Sequence, residues 1–124
     1  MITRATAARQ PEKAEKELVV FYEIRRETAV PGRGKELARW MDEQVIPVHE
    51  AAGMVVVGAF TDTDDEDAFV WIRKFRDAEE REEVVARVHR DPLFASQIRP
   101  RLGHILAGEA ITVRLVPTAS SRLS

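Results

Sequence analysis

The sequence predicts one α+β domain with the element order β-α-β-β-α-β, the ferredoxin-like arrangement with a four-stranded antiparallel sheet. Three observations carry this prediction. The 124 residues suit a single domain, and a hydrophobic content of 44% supplies a core. Four stretches rich in β-branched and aromatic residues are interleaved with two helical patterns. Glycine and proline residues separate several of these stretches.

The first half of the chain predicts a strand followed by a helix. Residues 18–25 (LVVFYEIR) carry apolar side chains on both faces, so we expect a strand that is buried on both sides. PGRG (31–34) ends it. A helix is predicted over 33–52, because apolar residues recur there at spacings of three and four. Pro47 should kink this helix, and Gly53 should stop it.

The second half predicts a hairpin and a further helical region. Strands at 54–60 and 68–75 are joined by an acidic turn, which makes a hairpin with a long loop. Asp77 is expected to cap a helix over 79–90 in a capping-box-like arrangement with Glu80, and the charges of this helix are read mostly as a solvated face.

A further helical turn is expected from Asp91-Pro92 onwards, interrupted by Pro100, and a fourth strand over 109–117. Residues 1–16 are polar and aperiodic, which predicts a disordered N-terminal tail. The folded domain is then expected over 17–118, with a frayed C-terminal tail over 119–124.

This element order also predicts a homodimer. Strands 1 and 3 are expected at the centre of the sheet and strands 2 and 4 at its edges, with the helices on one face. Because the strands carry apolar residues on both faces, the other face needs a cover. A partner sheet is the simplest cover.

Composition bounds the classes of function. The chain has no cysteine, which excludes disulfides, thiolate nucleophiles and cysteine-based metal sites and fits a cytoplasmic protein. Its apolar runs are too short for a membrane helix, and we expect neither export nor membrane association. FVWIRKF (69–75) has the aromatic and basic residues of a nucleic-acid platform. The net charge of −2 and the acidic stretch before it argue against nucleic acid as a partner.

Three segments together resemble a known family. They are YEIR (22–25) followed by PGRG, IPVHEAAG (46–53), and VWIRKFRDAEERE (70–82) followed by RDPLF (90–94). In order and spacing they resemble the NIPSNAP family, within the dimeric α+β barrel superfamily that includes the antibiotic-biosynthesis monooxygenases. The resemblance implies two sheets packed face to face and a cleft between each sheet and its helices. It also implies a small hydrophobic or aromatic ligand, in some relatives without metal or organic cofactor.

The candidate site residues fall into three groups. Tyr22, Trp40 and Trp71 are candidates for an aromatic pocket wall, with a role in the core as the alternative, and Phe94 is a further substrate-binding candidate. Glu23, Arg25, Arg73 and Arg114 lie on strands that are neighbours in the predicted sheet. They form either a structural ion-pair cluster or an anchor for a substrate hydroxyl, carboxylate or enolate.

His49 is the main acid–base candidate, with Glu23 as a second base and Arg73 as the oxyanion anchor. His89 and His104 are weaker candidates, and the histidines lack metal-ligand spacing, so we expect no metal and no cofactor.

The sequence thus supports two main functional hypotheses. The first is binding of a small aromatic molecule, with cofactor-independent monooxygenase, isomerase or cyclase activity in secondary metabolism as its catalytic form. The second is a non-catalytic binding or protein-interaction module. A continuous cavity of about 300 Å³ or more, lined by polar groups, favours the first hypothesis, and a filled cleft favours the second.

Overall fold

The computed structural model of the protein describes residues 19–124. The predicted N-terminal tail, 1–16, therefore lies outside the described residues. No helix in the described range is both long and apolar enough to cross a membrane. The elements are β1 Phe21–Thr28, α1 Gly34–Trp40, α2 Ile46–Ala51, β2 Val55–Thr61, β3 Ala68–Phe75, α3 Ala78–Arg90, α4 Arg99–Ile105 and β4 Ile111–Leu115, with π-helical turns at Met41–Val45 and Phe94–Ile98.

The four strands form one antiparallel sheet in the order β2-β3-β1-β4. The predicted fold class and the central position of strands 1 and 3 are confirmed. The register places Glu23 of β1 opposite Arg73 of β3 on one side and Arg114 of β4 on the other. Residues opposite each other in a ladder point to the same face. Three charged groups from three strands therefore meet on the face that carries the helices.

The PGRG turn joins β1 to α1 and is held by the acidic loop before β3. Gly32 has a φ of +86°, a left-handed conformation that favours glycine. A Cβ on Gly34 would lie 1.7 Å from the carbonyl oxygen of Glu66, so this backbone approach requires glycine. The carboxylate of Asp67 accepts hydrogen bonds from the N–H groups of Gly32 (3.1 Å) and Gly34 (3.0 Å). The turn and the loop thus fix the start of α1.

Two prolines each follow a π-helical turn. The π-helical turn Met41–Val45 precedes Pro47, the residue at which a kink is expected, and the π-helical turn Phe94–Ile98 precedes Pro100. Proline lacks an N–H group, and its ring crowds the carbonyl four residues earlier. A wider turn relieves this crowding. Both π-helical turns contribute side chains to the cavity described below.

The N-terminal cap of α3 is formed as the sequence indicates. The carboxylate of Asp77 accepts a hydrogen bond from the backbone N–H of Glu80 at 2.7 Å. The Glu80 side chain in turn accepts from the backbone N–H of Arg76 at 2.8 Å, one residue before the cap. Two backbone N–H groups at the start of the helix are thus paired. In a standard capping box the second bond comes from the N–H of the cap residue itself, whereas here it comes from the residue before the cap.

The face of the sheet opposite the helices is apolar and open in the single chain. Five large apolar side chains on it are each at least 45% exposed, namely Val55, Phe60, Ile111, Val113 and Leu115. The C-terminal segment, for which fraying is expected from the sequence, lies against part of this face. There the Tyr22 hydroxyl donates to the backbone oxygen of Ser124 at 3.0 Å. The tail therefore contacts the sheet.

Candidate functional site

A cavity of about 350 Å³ lies between the inner face of the sheet and the helices. Strands β1 and β3 supply its charged floor, and the two π-helical turns together with α2, α3 and α4 supply its walls. Its lining combines guanidinium groups, one carboxylate and two histidines with aromatic and aliphatic side chains: Arg25, Glu27, Met41, Val45, His49, Trp71, Arg73, Arg81, Val85, Val88, His89, Phe94, Leu102 and Leu106.

Glu23 is a fully buried carboxylate at the floor of the cavity, and three guanidinium groups saturate it. Arg73 donates to its Oε1 through Nε (3.1 Å) and Nη2. Arg81 from α3 donates to Oε2 at 2.9 Å, and Arg114 from β4 at 3.3 Å. Burial raises the pKa of Glu23, but the charges and hydrogen bonds of Arg73 and Arg81 outweigh it, and the pKa lies below its ordinary value. Glu23, Arg73 and Arg114 thus form an ion-pair cluster across the sheet, one of the two arrangements expected from the sequence.

Glu27 is a second carboxylate on the same face of β1, four residues after Glu23. Its Oε2 accepts from the indole Nε1 of Trp71 at 3.1 Å and from Nε of Arg25 at 3.0 Å. These bonds hold Trp71 and Arg25 in the cavity wall. We did not identify Glu27 from the sequence, although the two-residue period of a strand places it on the face of Glu23 and Arg25.

His49 presents one ring nitrogen to the cavity. Its Nδ1 lies 2.7 Å from the carbonyl oxygen of Val45, and because a carbonyl only accepts, Nδ1 carries the hydrogen. Nε2 is then the basic nitrogen of the neutral ring. The ring meets Trp71 and Phe94 edge-on, with centroids 5.2 and 5.6 Å away. Burial is the largest cause that lowers the pKa of His49 to about 4, and the positive charge of Arg73 adds to it.

The structure brings some candidates together and separates others. Arg25, His49, Trp71, Arg73 and Phe94 line one cavity, with Glu23 directly beneath. The aromatic wall proposed from Tyr22, Trp40 and Trp71 is not formed as a unit. Tyr22 points to the opposite face of the sheet, because adjacent strand residues alternate. Trp40 lines a separate surface depression beneath Arg101.

Two further residues of α3 belong to the site. Arg81 is an exception to the solvated face expected for this helix, because it turns inward onto Glu23. His89, a weaker candidate, stacks on Phe94 with a centroid distance of 6.0 Å and lines the cavity. Within residues 19–124, no three histidine or acidic side chains are grouped so that they could hold a metal ion.

The hypothesis of a nucleic-acid platform on β3 required three exposed aromatic rings. Phe69, Trp71 and Phe75 are instead 2%, 2% and 1% exposed, packed between the sheet and the helices. Base stacking needs an accessible ring face. These rings therefore offer no stacking surface, and the strand contributes to the core and the cavity.

Comparison with known proteins gives a consistent family. The NIPSNAP family model matches residues 22–121. The fold is similar to that of a NIPSNAP family protein with unknown function from Agrobacterium tumefaciens, at 23% identity and a TM-score of 0.77, covering 86% of this chain and 96% of that one. An uncharacterized NIPSNAP-like domain protein from Burkholderia xenovorans matches at 19% identity with a TM-score of 0.74, covering 84% and 90%. No functionally curated protein matches the chain significantly.

Proposed function

Because the chain belongs to the NIPSNAP family, whose two members named above have no stated activity, we propose a function from the geometry of the site. The protein binds a small, predominantly aromatic molecule in the cavity between its sheet and its helices. It does so as a homodimer whose second sheet covers the open face of the first.

The cavity is the observation that carries this proposal. Its volume of about 350 Å³ lies within the range of small-molecule sites, about 300–1,000 Å³. Aliphatic and aromatic walls with a few fixed polar groups are typical of such sites. The hydrogen bonds of Glu27 to Trp71 and of His49 to Val45 orient the wall before a ligand arrives, which reduces the entropy lost on binding. By the criterion given above, an open cavity of this size favours a ligand site over a protein-interaction module.

Calorimetric titration tests the binding. The probes are 2-naphthoate, 2-naphthalenemethanol and 2-naphthylmethylammonium, which share a two-ring body and differ in charge. We expect at least one to bind the wild type and none to bind Val85→Phe, which places a ring inside the cavity. Ala86→Phe places the same ring on the other side of α3 and should leave binding unchanged. If no probe binds the wild type, the proposed function is wrong.

The homodimer part of the proposal rests on the open sheet face. That face exposes the apolar side chains of β2 and β4 named above, and a second copy presents the same surface. Burying large apolar side chains contributes about 1.5–3 kcal/mol each relative to exposure. A symmetric sheet-to-sheet contact buries them on both copies at once, in the barrel that the family resemblance implies.

Sedimentation equilibrium at micromolar concentration tests the homodimer. We expect twice the mass of the chain for the wild type and a monomer for Val113→Glu, which places a carboxylate on the apolar face. Thr112→Glu places the same charge on the other face of the strand and should remain dimeric. A monomeric wild type contradicts this part of the proposal and leaves the ligand site standing.

Proton transfer within the bound ligand is the second candidate function, favoured by His49 and Arg73 lining one cavity. Nε2 of His49 would take a proton from an acidic phenol or β-dicarbonyl, and Arg73 would stabilise the oxyanion. Isomerisation, cyclisation and cofactor-independent oxygenation all begin with this step. Since Glu23 already accepts from three guanidinium groups, we assign it to holding Arg73 and not to taking the proton. If both His49→Ala and Glu23→Gln convert the ligand as fast as the wild type does, this assignment is wrong.

A further inference from the structure

We infer that the ligand of this cavity is an anion, an aromatic carboxylate whose charged end is bound by Arg25, Arg73 and Arg81. The inference rests on the proposed small-molecule site and adds the charge of the ligand to it. It follows from three features of the cavity: the balance of charge, the hydrogen-bond donors that remain, and the apolar surface beside those donors.

The charge balance of the site is positive. Three guanidinium groups that line the cavity, those of Arg25, Arg73 and Arg81, pair with two carboxylates, those of Glu23 and Glu27; Arg114, a further partner of Glu23, lies outside the lining and is half exposed. The cavity therefore has a formal excess of one positive charge. Arg73 and both carboxylates are almost fully buried. Uncompensated charge is unfavourable in a poorly solvated interior, so a bound anion is stabilised there and a bound cation is repelled.

Unused donors lie on the same groups. A guanidinium has five N–H bonds, one on Nε and two on each terminal nitrogen. Within residues 19–124, Arg25 and Arg81 pair with Glu27 and Glu23 through Nε, and Arg73 pairs through Nε and Nη2. The terminal nitrogens of Arg25 and Arg81 and Nη1 of Arg73 remain for a ligand. Planar guanidinium edges match the two oxygens of a carboxylate.

The rest of the lining offers apolar surface next to these donors. Trp71, Phe94, Val85 and Val88 supply flat and aliphatic surface, and the Arg73 guanidinium lies over the Trp71 ring, 4.9 Å from its centroid. Nε2 of neutral His49 accepts a hydrogen bond from a hydroxyl or N–H group on the ligand. A planar acid with a polar substituent on its ring meets each of these requirements.

The same three naphthalene probes test the charge of the ligand. Charged hydrogen bonds are worth more than neutral ones, so 2-naphthoate should bind the wild type at least about 10-fold more tightly than 2-naphthalenemethanol. The ammonium probe should bind more weakly than either. Arg81→Gln should reduce the preference for the carboxylate, and Arg25→Gln provides a second variant in case Arg81→Gln does not fold. Arg90→Gln removes a charge from the exposed side of α3 and should keep the preference.

The outcomes separate this inference from the function on which it rests. Equal affinity for the carboxylate and the alcohol would overturn the inference and leave the proposed ligand site intact. The same conclusion follows if the preference persists in both Arg25→Gln and Arg81→Gln. Absence of binding by all three probes would overturn the ligand site itself, and the inference with it.

Discussion

Acidification from pH 7 to pH 5 should destabilise the fold by about 2 kcal/mol through His49 alone. The ordinary histidine pKa of 6.5 is lowered to about 4 in the folded protein, chiefly because the ring is buried. Between these two values the unfolded chain binds more protons than the folded one, so the free energy of unfolding falls as the pH is lowered. Below pH 4 both states are protonated, and the loss stops growing.

The magnitude follows from the two pKa values. One pKa unit corresponds to about 1.4 kcal/mol, so the whole difference approaches about 3 kcal/mol below pH 4. At pH 5 the unfolded histidine is almost fully protonated and the folded one is mostly neutral, which gives the loss of about 2 kcal/mol. The Glu23 carboxylate also stabilises the fold less on acidification. This loss occurs mainly below its ordinary pKa of 4.5, as the pH falls to the lowered pKa of the folded protein. The window from pH 7 to pH 5 therefore isolates His49 from Glu23.

Urea denaturation at both pH values and one fixed protein concentration provides the assay. We expect the pH-dependent loss in the wild type and its disappearance in His49→Gln, whatever the stability of that variant at pH 7. His104 is exposed, so His104→Gln should retain the loss. A wild-type free energy of unfolding that is the same at both pH values would refute the reasoning, and so would an undiminished loss in His49→Gln.

Three further substitutions test the packing around the site, each measured by urea denaturation at pH 7. Glu23→Gln leaves the buried Arg73 charge uncompensated and should cost about 3–5 kcal/mol, whereas Glu83→Gln on the exposed side of α3 should change the free energy of unfolding by less than about 0.5 kcal/mol. A cost below about 1 kcal/mol for Glu23→Gln would contradict the buried pair. Gly34→Ala forces a Cβ into the Glu66 carbonyl and should cost about 3 kcal/mol or more, while Gly108→Ala meets no atom within 4 Å and serves as its control. Asp77→Ala removes the cap of α3 and should cost about 1 kcal/mol, and an unchanged midpoint would argue against the cap.

Part of the site follows from strand periodicity alone. Once β1 and β3 are neighbours in the observed register, alternation places Glu23 and Arg73 on one face, where they belong to the ion-pair cluster that was one of the two expectations. The same alternation places Tyr22 on the other face and Glu27 beside Trp71. The aromatic ring of Tyr22 suggested the pocket, but alternation places it on the face opposite Glu23, and Glu27 lies beyond the predicted strand 18–25, which the structure extends to Thr28.

Other parts of the site had no local signal. Arg81 lies in a helix rich in charged residues, and periodicity does not tell which of its long side chains turns inward. Trp40 precedes a π-helical turn, which shifts the helical phase of the residues that follow. Arg81 and Trp40 thus depend on how the helices rest on the sheet, which is a property of the assembled domain.

The order of the elements, the strand faces, the helix cap and the glycine turn were all set by local chemistry: alternation, capping side chains and backbone conformations that only glycine adopts easily. These act over a few residues, so they can be read before the chain is folded. Tertiary packing decided that residues from two strands, three helices and two π-helical turns enclose one cavity with an unbalanced positive charge. Burial and charge balance cannot be read from one stretch of sequence, because both depend on residues that are distant in the chain and meet only when the helices cover the sheet.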